Sequence, residues 1–215
     1  MLVDVNRSVE ERWIEVVDWL VVNAPATFET LVPRATASEV DAVEAAVPEA
    51  LPNDLRAWLR FGQGVDWQPE EVFPPLFAPR SARDVLTAYR RLVAEDERTW
   101  PGYERAVREG AGGRSGVFLK SFVPIASSGT GDWLFVDLRP GAWHGCVQRW
   151  RRDDGCQVGP LWRGVGDMLA DVVQGLITGR EVLAPFVERA HAQGFRTSTT
   201  VPVVENGRLG RASRG

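Results

Sequence analysis

A chain of 215 residues that is 44% hydrophobic and 25% charged has enough apolar material for one sizeable core, which excludes a disordered or fibrous protein. Its formal net charge of -4 argues against bulk attraction to nucleic acid or anionic lipid, and no window approaches the ~18 apolar residues of a membrane span. Two cysteines without CxxC spacing cannot form a disulfide framework, and the start MLVDVNRSVEERW has no basic, apolar leader, so the cytoplasm is the expected compartment.

In chain order, Ser8 with Glu11 forms a capping box, and Val9, Trp13, Val16, Val17, Leu20 and Val21 follow as a helical stripe to about Asn23. Ala24-Pro25 ends that helix, and a linker through Pro33 leads to a second capping box at Thr36 and Glu39, with Val40, Val43 and Val47 as its apolar side. Leu51-Pro52 opens a third helix with the stripe Leu55, Trp58 and Leu59, closed by Gly62 and Gly64. Residues 66–79 read as an irregular Pro-rich connection with a short edge strand at Val72-Phe73. Ser81 opens a fourth helix carrying Val85, Ala88, Tyr89, Leu92 and Val93, and the glycine-rich residues 110–116 read as a mobile surface loop.

The densest strand signal follows. Phe122, Val123 and Ile125, the turn residues 127–131, and then residues 133–138 predict two adjacent antiparallel strands. On the second, period 2 places Leu134, Val136 and Leu138 on one face and Trp133, Phe135 and Asp137 on the other, so both faces need a cover. The chain returns through residues 146–150, and Asp153-Asp154-Gly155 predicts a hairpin into residues 157–162, giving a meander of at least four strands. Residues 165–178 form an amphipathic helix with Met168, Leu169, Val172, Val173 and Leu176 inward. Residues 181–193 read as a further helix, and Val201 to Val204 with Asn206-Gly207 as a terminal strand and tight turn. Helices, then consecutive strands, then a helix predict an α+β fold: an antiparallel sheet of four or more strands flanked by N-terminal helices and a C-terminal helix.

No catalytic motif is in register. The lone Lys120 follows Leu119 rather than glycine, Gly129 and Gly131 lack the third glycine of GxGxxG, and Ser115 sits in GRSGV rather than GxSxG. His144 and His191 lack metal-ligand spacing. Asp132 and Asp137, five residues apart on one strand, point to opposite faces and make a poor acid/base pair. Arg149, Arg151 and Arg152 alternate across a strand beside Asp153 and Asp154, which reads as an exposed face rather than a nucleic-acid groove. Cys146 and Cys156 read as buried, reduced thiols. No catalytic residue, metal site or cofactor is expected.

The order ATASEVDAVEAAVPEALPNDLRAWLRFGQG, then FVPIASSGTGDWLFVDL, then VQRW and an amphipathic helix resembles the SUKH superfamily, which joins fungal cell-wall-assembly regulators of the Smi/Knr type to many bacterial immunity proteins. Glu39 and Glu44, Leu51-Pro52, the Gly62 to Gly64 turn, Pro124-Ile125, Gly131-Asp132, Val147 and Trp150 carry the resemblance. It divides the chain into an N-terminal helix and linker (1–34), a SUKH-like domain (35–179), and a C-terminal helix with a strand-like tail (180–215). It implies a non-enzymatic module that binds other proteins, favouring an immunity protein that neutralises a toxin. A regulatory adaptor of cell-wall or signalling proteins, or a small carboxylate-dependent hydrolase, are the alternatives.

A partner surface is expected to combine aromatic anchors with an acidic rim. The residues that fit are Asp66, Trp67, Glu70, Glu71 and Phe73 in the Pro-rich connection, Asp132 before the central strand, and Trp143 in a turn. Oligomeric state is left open by the sequence.

Overall fold

The computed structural model describes residues 7–65, 77–96, 103–156, 159–183, 188, 192 and 200–213. Helix α1 (Val9–Asn23) begins at its capping box: Ser8 Oγ accepts from the Glu11 amide at 3.2 Å, and the Glu11 carboxylate accepts from the Ser8 amide at 2.7 Å. The same reciprocal pair at Thr36 and Glu39 opens α3 (Ala37–Ala46). Between them lies α2 (Pro25–Phe28), where the sequence read only a linker, because a single turn is too short to show a helical period. Helix α4 (Asn53–Phe61) follows Pro52 and buries Leu55, Trp58 and Leu59.

Strand β1 (Ala78–Pro79) precedes α5 (Ala82–Asp96), whose first turn is capped by Ser81 Oγ accepting from the Asp84 amide at 3.3 Å. A short helix, α6 (Tyr103–Glu109), follows, and the sequence had not placed it. Then come β2 (Phe122–Ser127), β3 (Trp133–Asp137) and β4 (Cys146–Trp150). The sheet runs β1-β2-β3-β4 with every neighbouring pair antiparallel. Pro124, which has no N–H for a ladder, sits where the β2–β3 register shifts.

The two faces of β3 divide as period 2 requires. Leu134, Val136 and Leu138 join Val123, Ile125 and Val147 in the larger core, which is filled from the helical side by Trp13 and Leu20 of α1, Val43 of α3 and Trp58 of α4. Trp133 and Phe135 join Phe122, Trp150 and Phe118 in a second, aromatic cluster covered by residues 117–119, Ala106 of α6 and Leu92 of α5. Phe118 meets the rings of Phe122, Phe135 and Trp150 edge-on at centroid distances of 5.5–5.8 Å, a geometry aromatic quadrupoles favour.

Two expectations need correction. The fourth strand of the sheet is β1, and the described part of the expected strand, residues 159–162, is not one. The Asp153-Asp154 tip is present, with Arg151 bridged to Gly155, but Cys156 exchanges backbone hydrogen bonds of 2.8 and 3.0 Å with Ser115, which draws the chain away from β4. Among the described residues it returns to β4 at one bridge, between Val147 and Trp162. Residues 110–116 are also not a free surface loop: the Ala111 amide donates to Pro140 O at 3.0 Å and the Gly112 amide to the buried Asp137 carboxylate at 2.9 Å. The edge strand expected at Val72-Phe73 lies outside the described residues.

Helix α7 (Val165–Thr178) packs against α1 and α4 and ends at Gly179. Val182 and Leu183 are buried beyond it, while most of the helix expected at residues 181–193 lies outside the described residues. Strands β5 (Thr200–Glu205) and β6 (Arg208–Ser213) form a hairpin whose turn residues, Asn206 at φ 51° and Gly207 at φ 74°, both occupy the left-handed region that a two-residue turn demands. The hairpin docks on α2: Ala26 N donates to Gly207 O at 3.0 Å and Leu209 N to Thr27 Oγ1 at 2.8 Å. Leu209 thereby joins the same core as Trp13, so both ends of the described chain contribute to one interior.

Candidate functional site

A cleft of about 1200 Å³ is walled by three separate stretches: the approach to α3 (Val32 to Thr36), the start of α5 (Arg80 to Thr87), and the β2–β3 turn (Ser127 to Gly131). Gly64 sets one wall, because a Cβ there would lie 2.3 Å from the Ser81 amide nitrogen. Only glycine lets the exit of α4 approach the start of α5 so closely. Trp133 and Trp150 contribute aromatic surface, and Ser128 and Thr130 offer hydroxyls, bonded to one another at 2.8 Å.

The described lining contains five arginines (Arg34, Arg80, Arg83, Arg91 and Arg152) and three acids (Glu39, Asp84 and Glu95). Each acid is engaged. Glu39 is held by the Thr36 amide, which lowers its pKa, and pairs with Arg83 at 3.0 Å; Asp84 accepts from Ser81 Oγ at 2.7 Å; Glu95 pairs with Arg91 at 3.6 Å. Arg80 is half-buried and directs Nε and Nη2 to Ser127 Oγ at 2.8 and 2.7 Å; burial lowers its pKa, and the nearby Asp84 charge opposes that shift. Arg34 stacks over Phe61 at 5.6 Å, and among the described residues neither its guanidinium nor that of Arg152 pairs with a carboxylate, although the Arg152 backbone amide donates to Asp132.

Of the sequence-predicted surface, only Asp132 and Trp143 fall among the described residues. Asp66, Trp67, Glu70, Glu71 and Phe73 lie outside the described residues. Asp132 is 8% exposed and occupied: its carboxylate accepts from Arg149 Nη2 at 2.6 Å and Nε at 3.1 Å, and from the Arg152 amide at 3.2 Å. It ties the start of β3 to the end of β4. Trp143 is 36% exposed with the Arg163 guanidinium 4.7 Å above its ring. Asp132 precedes β3 and Trp143 follows it in the β3–β4 connection, so the strand separates the two by five residues at about 3.3 Å each. The structure does not bring them together.

The least expected polar feature is buried. Asp137, read as a strand acid, and Arg139, just beyond the strand, are 0% and 1% exposed. Asp137 accepts from Arg139 Nη2 at 2.7 Å, from Gln148 Nε2 at 2.8 Å and from the Gly112 amide at 2.9 Å. Arg139 also donates to the carbonyls of Ala106 and Gly113, and its guanidinium stacks 4.9 Å over Phe122. Gln148 Oε1 accepts from Cys156 Sγ at 2.8 Å. Such saturation makes the cluster a fastener between α6, the glycine-rich loop and the sheet, because a buried ion pair is tolerable only when its remaining donors and acceptors are satisfied.

Cys146 and Cys156 are both free and buried, and desolvation pushes each thiol up to about 12, which keeps them in the unreactive protonated form. Among the described residues no three His, Cys, Asp or Glu side chains cluster at metal-binding distance, and no described helix is long and apolar enough to cross a membrane.

The cleft arginines were missed as a group because residues 34, 80 and 152 belong to three segments joined only by the fold. The signal available was their excess over nearby acids, which becomes visible only once those acids are seen to be paired. No match to the chain is found among curated proteins. A family model does match, and it spans residues 34–171, well over half of the length and most of the helices and sheet described above. The chain belongs to the SMI1 / KNR4 family (SUKH-1).

Proposed function

We propose that this protein is a non-enzymatic binding module whose partner is another protein, and that it acts as an immunity protein neutralising a toxin by direct contact. The family match over residues 34–171 carries the reading. The state of the two central carboxylates supports it: Asp132 and Asp137 lie at opposite ends of β3 and each is tied to an arginine, Arg149 and Arg139, rather than converging on a substrate. The alternative within the same family, a regulatory adaptor, uses the same scaffold with a different partner.

Co-expression tests the proposal. A toxin domain encoded beside this gene should arrest growth when expressed alone, and co-expression of this protein should restore growth and yield a complex that co-elutes on size exclusion. Continued arrest with both proteins soluble and separately eluting would overturn the immunity reading. Co-elution with a non-toxic neighbour that this protein regulates would favour the adaptor.

A further inference from the structure

The cleft carries charge of the opposite sign to the chain around it. With five arginines against three acids its described lining is net positive, while the whole chain is -4. The acids are also the less available members, each being held by a cap or an ion pair, whereas Arg34 and Arg152 line the cleft as exposed residues whose guanidiniums pair with no carboxylate among the described residues. Trp133 and Trp150, 9% and 6% exposed, and the hydroxyl-bearing Ser128 and Thr130 also line the cleft. Guanidinium groups match a carboxylate-bearing chain, whose charged tips take bidentate hydrogen bonds.

The sheet edges point to a groove rather than strand addition as the mode of contact. β1 is two residues long and ends in Pro79, which cannot donate to a further strand. On the other edge, β4 is met by Trp162 through Val147, and Arg151 just beyond it by Gly155. Main-chain pairing of a partner strand is therefore disfavoured on both edges of the four-stranded sheet.

We propose that the cleft between α3, α5 and the β2–β3 turn captures an acidic segment of the partner protein, with Arg34 and Arg152 as its charge-reading residues. The inference rests on the protein-binding reading above and adds the site and the sign of the partner's charge.

A labelled deca-glutamate peptide is the probe, with deca-lysine and a Gly/Ser peptide of equal length as comparisons, titrated into the full chain at low and high salt. Deca-glutamate alone should bind, and the affinity should fall as salt rises. R34S/R152S should weaken binding by about tenfold, whereas R105S/R108S, an equal charge change on the exposed face of α6, should change it by less than about twofold. Both pairs are exposed, so denaturant midpoints should stay close to wild type. Equal loss in the two double variants, or preference for deca-lysine, would overturn the inference. With the co-expressed toxin domain as ligand, undiminished binding by R34S/R152S would sink the cleft assignment and leave the binding-module reading standing. If D66S/E70S/E71S lost that binding instead, the contact would belong to the acidic residues between Val65 and Phe77. A wild-type chain that bound deca-glutamate through Arg34 and Arg152 but no neighbouring gene product would support the cleft and count against the immunity reading.

Discussion

Asp137 and Arg139 show how much one residue can fasten. The guanidinium reaches a carboxylate on β3, a carbonyl of α6 and a carbonyl of the glycine-rich loop, all inside an interior that excludes water. Removing either partner strands a buried charge, so Asp137→Ala or Arg139→Ala should cost about 3–5 kcal/mol in denaturant unfolding. Replacing both with apolar groups should not restore the loss, because the Gly112 amide, Gln148 and two carbonyls would still lack partners. A double variant as stable as wild type would show that the network is dispensable. The thiols give a pH signature. The folded-state pKa of Cys146 and Cys156 is raised to about 12 from an unfolded value of about 8.5, so their contribution to stability is complete below about pH 8.5 and declines as pH rises toward 12. The denaturation midpoint should therefore fall between pH 8 and pH 10.5, and fall less steeply in C146A/C156A. Identical slopes in the two proteins would refute the thiol origin of the loss.

At the level of elements, β3 separates two interiors of different character. Its aliphatic face meets helices and its aromatic face meets residues 117–119, so neither side is solvated and the strand reads as apolar throughout. Leu134 is 1% exposed at the centre of the aliphatic side. Leu134→Ala should destabilise by about 2–5 kcal/mol through lost transfer energy and a residual cavity. A loss below about 1 kcal/mol would mean that the surroundings collapse to fill the space.

On the scale of the whole molecule, the stretch that matches the family does not contain all of the core. Helix α1 precedes the matched residues 34–171, yet Trp13 and Leu20 are fully buried, and the Trp13 ring meets that of Trp58 edge-on at 5.4 Å. Starting the chain at Arg34 would expose the faces of α4 and α7 that α1 covers. Such a chain should lose its cooperative urea transition and bind a hydrophobic dye. A sharp transition with the wild-type midpoint would show that α1 is an accessory.

Local chemistry alone determined much of this architecture. Both capping boxes, the Asn206-Gly207 turn, the stripe on each long helix and the two faces of β3 are set by side chains within a few residues of one another, where hydrogen-bond reach and a period of 3.6 or 2 leave one outcome. The α+β class followed from their order. What tertiary structure decided depends on partners distant in sequence. Arg139 looks like a turn residue until Asp137, Ala106 and Gly113 surround it, and residues 110–116 look free until Asp137 and Cys156 take their amides. Asp132 looks available until Arg149 reaches it from the neighbouring strand, and the positive cleft exists only because the fold places residues 34, 80 and 152 around one space. Charge pairing across β-strands and between loops carries no sequence period, so composition near these residues did not reveal which of them were already satisfied.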